Sequence, residues 1–214
     1  MRIARDMHDE IGSKLTKISF LSEHACIDAK SDGVLSRKIG SIAETSRELL
    51  KTMDEIVWVV NPRNDSLEHL TAYLSHYADE YFQNTSVNCE LRLPQAVSHV
   101  PVSSDTRHNL FLAFEEALNN VLKHSGASEV KVEMALNTPK FEIIVTDNGR
   151  GFESSRPDVN GQPINGTRRG GDGLKNMRQR LADIEGECLI QSRVGAGTTV
   201  RLGIQLAQKA QGAT

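Results

Sequence analysis

Residues Glu115 to His124 read EEALNNVLKH, and this stretch decides how the rest of the chain is interpreted. Together with residues just upstream it gives one apolar face at helical spacing, formed by Leu110, Phe114, Ala117, Leu118, Val121 and Leu122. Glu116, Asn120 and Lys123 fall together on another face, because residues three and four apart are neighbours on a helix. A carboxylate, an amide oxygen and a cation suit Mg²⁺ and phosphate, since Mg²⁺ takes a few hard oxygen ligands and shares the rest with phosphate and water. Taken alone, however, the patch is better explained as the polar face of a half-buried helix.

Three glycine-rich stretches downstream change that interpretation. They are DNGRGF from Asp147 to Phe152, GGDGL from Gly170 to Leu174, and GAGTT from Gly195 to Thr199. Glycine lets the backbone approach a ligand closely. An E-x-x-x-N helix followed in order by D-x-G-x-G, G-x-G-L and G-x-G-T resembles the GHKL ATP-binding superfamily, which includes histidine kinases, DNA gyrase and mismatch-repair ATPases. One G-x-G is weak evidence, whereas four boxes in order across about half the chain are specific.

This resemblance implies that the chain binds ATP and Mg²⁺. It assigns Asp147 to the adenine amino group, with Thr198 supporting that carboxylate, and it makes Glu116 catalytic. Glu116 and Asn120 are the implied metal-binding residues. The other implied nucleotide contacts are Lys123, His124, Gly149, Gly151, Gly171, Gly173 and Leu174.

Two further expectations concern the glycine boxes. The segment from Phe152 to Arg169 is rich in Gly, Pro, Asn, Ser and Arg and has no apolar period, so we expect it to be mobile. In the family this segment is the lid over the triphosphate. Gly171 and Gly173 are expected to precede a helix from Leu174 to Ile184, and the N–H groups at the start of such a helix attract phosphate.

The N-terminal part has helical periodicity throughout. Apolar residues recur at steps of three and four over residues 2–29 and again from about Val34 to Val60, with a polar break between them. Two helices with a short connection form an antiparallel hairpin. One hairpin buries little apolar surface, so we expect two chains to form a dimeric four-helix bundle; packing of the hairpin on its own chain is the alternative.

One histidine in this region lies in the sequence RDMHDEIGSKL. His8 follows the apolar stripe by one step and therefore lies on the flank of the predicted bundle. Residues Arg2 to Leu15 resemble the phosphoacceptor segment of sensor histidine kinases that act with response regulators carrying helix-turn-helix domains, whose pattern is R-I-A-R-D-L-H-D-x-x-G-x-x-L. The match implies that His8 accepts the γ-phosphate of ATP and that Asp9 orients or deprotonates the imidazole. The phosphoryl group then passes to an Asp of a separate receiver domain.

The remaining elements complete the fold prediction. A helix capped by Ser66 is expected to run to Asn84, and another, capped near Ser103 or Ser104, is expected over Asp105 to His124. Short alternating patterns predict strands near Val87–Leu93, Val130–Met134, Phe141–Val145, Leu189–Ser192 and Val200–Ile204. The predicted class is α+β: the helical hairpin, then an α/β sandwich with helices on one face of a mixed, mostly antiparallel sheet. The predicted domains are 1–62, for dimerisation and phosphoacceptance, and 63–214, for ATP binding, with the lid at about 152–169.

Composition limits the alternatives. A net charge of −3 gives no field that would favour direct contact with nucleic acid, and 38% hydrophobic residues are typical of a soluble globular chain. Three cysteines without metal-ligand spacing indicate reduced thiols and a cytoplasmic location. No apolar run reaches the roughly 18 residues of a membrane helix, so no membrane contact is expected here. Because the chain begins inside a predicted helix, an upstream sensor or membrane segment is expected to be missing.

Three other functions are compatible with a GHKL domain. An ATP-driven clamp needs long additional domains, and a serine kinase leaves DMHDEIG without a role. A nucleotide-binding pseudokinase or dimeric scaffold remains the main alternative, although the presence of Glu116, Asn120 and Asp147 argues against it.

Overall fold

A computed structural model describes residues 11, 14–25, 33–94, 97, 100–153 and 171–206. The chain divides into two compact units, Met1–Asn64 and Asp65–Thr214. The predictions made for His8, Asp9 and residues 154–169 of the lid lie outside the described residues.

The described part of the first unit contains two helices, α1 over residues 14–25 and α2 over Gly33–Val60. Both helices bury small side chains, namely Ser19, Ser22, Ala43 and Ser46. An ion pair between Glu23 of α1 and Arg47 of α2 joins them. The described part therefore agrees with a helical hairpin, and helix α2 is found where the periodicity predicts it.

Large apolar side chains remain exposed on this unit. On α2 they recur every seventh residue and are 48–50% exposed: Leu35, Ile42, Leu49 and Ile56. Ile11 and Ile18 of the first helical segment are also seven residues apart and 38% and 43% exposed. A spacing of seven keeps these side chains in one line along each helix, as in the seam of a helical bundle.

Helix α2 ends where Pro62 begins a short 3₁₀ turn, Pro62–Asn64. Proline has no N–H with which to continue the α-helix, and it disfavours helical geometry for the preceding residue. The side-chain amide of Asn64 donates to the carbonyl of Trp58 at 2.9 Å and caps the last turn. The second unit starts directly after this turn.

The second unit begins with helix α3, Leu67–Phe82. The first strand, β1 (Asn88–Arg92), follows, and then helix α4, Ser104–Asn120. Each helix has a serine cap of the kind that the sequence predicts: Ser66 accepts from the N–H of His69 at 3.2 Å, and Ser103 accepts from the N–H of Thr106 at 3.1 Å. Both helices bury broad apolar faces, which include Leu70, Leu74, Phe82, Leu110, Phe114 and Leu118.

The end of α4 differs from the prediction. A continuous α-helix to His124 is wrong, because Val121–Ser125 forms a π-helical turn. A π-turn contains more residues per turn than an α-helix and breaks the 3.6-residue period. Leu122, which the α-helical period places on the buried face, is accordingly 41% exposed, whereas Val121 stays buried.

Five strands of the second unit form one sheet: β1 Asn88–Arg92, β2 Glu129–Asn137, β3 Lys140–Asp147, β4 Glu187–Ser192 and β5 Thr198–Gln205. Their order is β1-β2-β3-β5-β4. β1 pairs in parallel with β2, and the other neighbouring strands are antiparallel. This is the mixed, mostly antiparallel sheet that the alternating patterns predict.

Helices α3, α4 and α5 cover the sheet, α5 spanning Gly171–Ala182. The prediction that Gly171 and Gly173 precede this helix is wrong, because both lie inside its first turn. Met177 and Leu181 of α5 are fully buried, while Asn176 and Arg178 are exposed. A helix was predicted here, from Leu174 to Ile184, but its start was placed three residues late, since glycine is a weak helix former.

Candidate functional site

The candidate site begins at the last residue of β3. Alternate residues of this strand, Phe141, Ile143, Val145 and Asp147, are buried on the face that the helices cover. Asp147 thus continues the core-facing row and is 6% exposed. Burying a carboxylate in this otherwise apolar row costs free energy unless hydrogen-bond donors or a ligand compensate for the lost water.

Neighbouring groups donate hydrogen bonds to the carboxylate of Asp147. The N–H of Gly149 donates to its Oδ1 at 2.8 Å, and the backbone and hydroxyl of Thr198, directly opposite in β5, also donate to it. Burial nevertheless raises the pKa of Asp147 above its usual value, with the hydrogen bonds from Gly149 and Thr198 acting in the opposite direction. A buried acceptor of this kind is suited to a ligand that brings its own N–H donor.

The loop after Asp147 is packed so closely that its glycines have no room for a side chain. A Cβ on Gly149 would lie 2.5 Å from the carbonyl oxygen of Ser125, and one on Gly151 would lie 2.0 Å from that of Arg193. Gly197 has a φ of +77°, and a Cβ on it would lie 2.0 Å from the carbonyl oxygen of Asp147. These approaches hold the D-x-G-x-G and G-x-G-T stretches against each other around Asp147.

A second group of residues lies where α4 meets α5. The amide of Asn120 donates to Oε1 of Glu116 at 3.2 Å, so the two predicted metal-binding side chains are neighbours. Gly173 of α5 lies so close that a Cβ there would be 2.0 Å from the same Oε1. Glycine at this position is what lets the first turn of α5 approach the carboxylate.

These residues fit Mg²⁺ of the kind that is shared with a phosphate. Glu116 and Asn120 supply adjacent oxygen ligands, and Mg²⁺ usually binds one or two protein side chains and completes its shell with water and substrate phosphate. Among the described residues, no group of three or more His, Cys, Asp or Glu side chains could hold a metal ion by itself. A magnesium site built by the protein and a triphosphate together agrees with both observations.

The other predicted nucleotide contacts are placed as follows. Lys123 and His124 are exposed in the π-helical turn, and Leu174 is half-buried in the first turn of α5. Because α-helical spacing ends at Asn120, the prediction that Lys123 shares one face with Glu116 and Asn120 by that spacing loses its basis. Their exposure leaves both side chains able to turn toward a ligand.

Sequence reasoning missed three residues that support the site. Ser125 closes the π-turn by donating to the Val121 carbonyl at 2.6 Å, and its own carbonyl accepts from Arg150 at 2.9 Å. Asn148 accepts from the N–H groups of Ser128 and Glu129, at 3.1 Å each. Local sequence offered no signal for the role of Asn148, because its partners lie 20 and 19 residues earlier in the chain.

Ser192 is the third of these residues. Its hydroxyl lies 2.9 Å from that of Thr198, accepts from the Phe152 N–H at 2.9 Å and donates to the Gly197 carbonyl at 3.1 Å. It therefore joins the last glycine box to the start of the predicted lid. The sequence offered no signal for it, because the contact depends on the pairing of β4 with β5.

Cys89 and Cys188 are free cysteines among the described residues. Burial raises the pKa of Cys89 and of Cys188 to about 11, so both thiols are protonated and weakly reactive near neutral pH. Within the described ranges, no helix is both long and apolar enough to cross a bilayer.

Two family models match the chain. Residues 1–65 match the histidine kinase family, and residues 105–208 match the family described as histidine kinase-, DNA gyrase B-, and HSP90-like ATPase. The first match covers the helical unit, and the second covers the residues that form the candidate site. The second unit is therefore an ATP-binding domain.

Curated relatives extend the similarity to nearly the whole chain. The sensor histidine kinase LiaS of Bacillus subtilis is 24% identical over 99% of this chain and 55% of its own length. The nitrate/nitrite sensor protein NarX of Escherichia coli is 30% identical over 92% of this chain and 31% of its own length. The chain thus spans about half the length of LiaS and about a third of NarX.

Solved structures show the same fold. The histidine kinase domain of the blue-light activated histidine kinase from Erythrobacter litoralis matches with a TM-score of 0.53 at 19% identity, over 94% of each chain. The Acinetobacter baumannii histidine kinase AdeS matches with a TM-score of 0.52 at 14% identity, over 91% of this chain and 96% of its own.

Proposed function

This chain belongs to the family of sensor histidine kinases, and we propose that it transfers the γ-phosphoryl group of ATP to His8 and from there to a response regulator. The observation that carries the proposal is the buried Asp147, held by Gly149 and Thr198 beside a glycine loop that is packed too closely for side chains. Magnesium, the partners and the individual residue roles belong to the same proposal.

Asp147 recognises the base. Its carboxylate accepts a hydrogen bond from the exocyclic amino group of adenine, whereas guanine presents a carbonyl oxygen at that position and would be repelled. Gly149 and Gly151 let the loop beside the base pack against the carbonyl oxygens of Ser125 and Arg193. Thr198 keeps the carboxylate oriented. The cost of burying the Asp147 charge is offset when the adenine donor binds.

The triphosphate lies between α4 and α5. Glu116 and Asn120 hold the metal, which neutralises charge on the phosphates when it is bound. Lys123 and His124 reach the phosphate oxygens from the π-turn. The backbone N–H groups of Gly171, Gly173 and Leu174 open α5 and face the same charge.

His8 is the nucleophile. A neutral ring nitrogen of His8 attacks the γ-phosphorus, the bond from that phosphorus to the β,γ-bridging oxygen breaks, and ADP leaves with the electron pair. Asp9 orients the ring and accepts the proton that the imidazole loses. Glu116 polarises a water or binds the water shell of the metal, and most of the rate gain comes from positioning and charge neutralisation.

The helical unit works as a dimer. The heptad row of exposed side chains on α2 supports this, because two copies of the hairpin would bury it in a four-helix bundle. The phosphorylated His8 then passes its phosphoryl group to an Asp in the receiver domain of a response regulator. The reaction takes place in the cytoplasm, where ATP and the regulator are found, and the chain makes no direct contact with nucleic acid.

Incubation with γ-labelled ATP and Mg²⁺ tests the proposal. A histidine kinase gives protein-bound label that survives base and is lost in acid. Tight ATP binding without label would instead identify a pseudokinase.

A further inference from the structure

Helix α4 carries two pairs of polar residues, each pair one helical turn long. Glu116 and Asn120 form the pair on the side of α5. Glu115 and Asn119 form the other, and each precedes its counterpart by one residue, or about 100° around the helix. Because both pairs lie on one helix, the rotation of α4 about its axis sets the direction of the Glu115–Asn119 pair and of the Glu116–Asn120 pair together.

The second pair is bonded to helix α3. The hydroxyl of Tyr77 donates to Oε1 of Glu115 at 2.8 Å, and the hydroxyl of Tyr81 donates to Oδ1 of Asn119 at 3.4 Å. Tyr77 and Tyr81 are themselves one turn apart on α3. Two parallel bonds one turn apart fix both the rotation of α4 about its axis and its position along that axis.

The two tyrosines are held in place by packing. The ring of Tyr77 lies edge-on to that of Phe111 with centroids 4.9 Å apart, and it lies 5.8 Å from the ring of Tyr81. The ring of Tyr81 in turn meets that of Phe82 edge-on at 5.3 Å. Phe111 and Phe82 are buried, so the hydroxyls are presented to α4 from a rigid aromatic layer.

The charges around Tyr81 agree with this arrangement. Its pKa is raised by burial first, and then by the carboxylates of Glu115 and Glu116. The protonated hydroxyl is thus kept as a donor, and it lies within the electrostatic reach of both carboxylates.

We infer that Tyr77 and Tyr81 are positioning residues for the magnesium-phosphate end of the nucleotide site, acting through Glu115 and Asn119. Apolar packing holds α4 on the sheet but is non-directional and tolerates small rotations. The tyrosine hydrogen bonds remove that freedom, which keeps Glu116 and Asn120 directed at α5. This inference rests on the metal-binding roles proposed above for Glu116 and Asn120.

The test uses the chain with both tyrosines changed, Tyr77→Phe with Tyr81→Phe, so that the rings stay and the hydroxyls go. ATP is titrated by calorimetry once with Mg²⁺ and once with EDTA. Affinity in Mg²⁺ should fall about 3-fold to 10-fold, the effect of weakened hydrogen bonds. Affinity in EDTA, which depends on Asp147 and the base, should stay unchanged.

A matched control variant and a double-mutant cycle test whether the loss of affinity comes from the tyrosine hydrogen bonds. Tyr73→Phe removes a hydroxyl from the same aromatic cluster, one turn earlier beside Phe111, and should leave both affinities unchanged. Glu115→Met removes the partner of Tyr77, so adding Tyr77→Phe to it should cause little further loss.

Three results would overturn the inference. They are wild-type affinity of the double variant in Mg²⁺, an equal loss in Mg²⁺ and in EDTA, and additive effects of Glu115→Met and Tyr77→Phe. If the unchanged chain gains no ATP affinity from Mg²⁺, the proposed roles of Glu116 and Asn120 fail, and the inference fails with them. Binding by the unchanged chain but no acid-labile label would contradict only the transfer to His8.

Discussion

A Cβ atom on Gly173 would lie 2.0 Å from Oε1 of Glu116, so the first turn of α5 rests directly on a carboxylate of α4. The same oxygen accepts from the amide of Asn120 at 3.2 Å. The glycine box therefore has a steric role in addition to any contact with phosphate, because it lets two helices close on the proposed catalytic carboxylate.

Gly173→Ala should impair catalysis while preserving the fold. The added methyl group displaces the flexible end of Glu116, and misplacing a catalytic group by about 1 Å can cost roughly 100-fold in rate. Alanine is the better helix former by about 1 kcal/mol, which offsets the strain, so we expect the Tm to stay within about 4 °C of wild type. Autophosphorylation rate and thermal melting together check this.

Gly40→Ala is the matched control. Gly40 also lies inside a helix, and a Cβ there would meet nothing within 4 Å. This variant should keep the wild-type rate. A Gly173→Ala protein with wild-type activity would contradict the close approach of α5 to Glu116.

Asp147→Asn should weaken ATP binding without lowering the stability of the folded chain. The substitution removes a charge whose burial is unfavourable, and it weakens a charge-assisted hydrogen bond to adenine worth about 1.5 kcal/mol or more, so ATP affinity should fall at least about 10-fold. Thermal melting without nucleotide should show a Tm equal to or above that of wild type. A large drop in Tm would mean that Asp147 is a structural residue.

The difference in stability between Asp147→Asn and wild type should depend on pH in one direction. Because burial raises the folded-state pKa of Asp147, the folded state favours its protonated form. That stabilising contribution is complete below the ordinary aspartate pKa of 3.8 and is lost as the pH rises through the folded-state pKa. Asp147→Asn should thus gain most over wild type near pH 7, and the gain should shrink on acidification. Urea unfolding at several pH values measures it.

Arg107 should be essential for stability of the second unit. Its side chain is fully buried at the base of α4, pairs with the carboxylate of Asp65 and donates to the carbonyl of Val102 at 2.8 Å. Arg107→Ala leaves a cavity and unpaired acceptors, at a cost of about 3 kcal/mol.

Asp65→Asn should cost less than Arg107→Ala, because the side chain of Asp65 is 49% exposed and water can replace its bonds. Urea unfolding followed by near-ultraviolet circular dichroism of the tyrosines, all three of which lie in α3, reports on this unit. Equal stabilities of the Arg107→Ala variant and wild type would refute the anchoring role.

The heptad row predicts the oligomeric state. Ile42→Glu together with Leu49→Glu places two charges in the proposed dimer seam, where their burial without partners is prohibitive, and should give a monomer. Thr52→Glu, an exposed position of α2 outside the row, is the control and should stay dimeric. Sedimentation equilibrium distinguishes the two. A monomeric wild-type chain would contradict the dimer outright.

Regular patterns made most of the second unit predictable. The alternation in β3 identified both the strand and the carboxylate at its end, and serine caps marked the starts of α3 and α4. The π-turn was not predictable, because residues 121–125 still follow an α-helical apolar period and only tertiary contacts change their register. The supporting role of Ser192 depends on strand pairing, which local sequence does not encode.

The most direct test of the central claim is the position of the label after incubation with γ-labelled ATP and Mg²⁺. His24→Gln is the control for His8→Gln, since His24 is an exposed histidine of α1 whose ring centroid lies 4.3 Å from that of Phe20. The account predicts acid-labile, base-stable label on wild type and on His24→Gln, none on His8→Gln, and unchanged ATP binding in all three. Acid-labile label on the His8→Gln chain would contradict it.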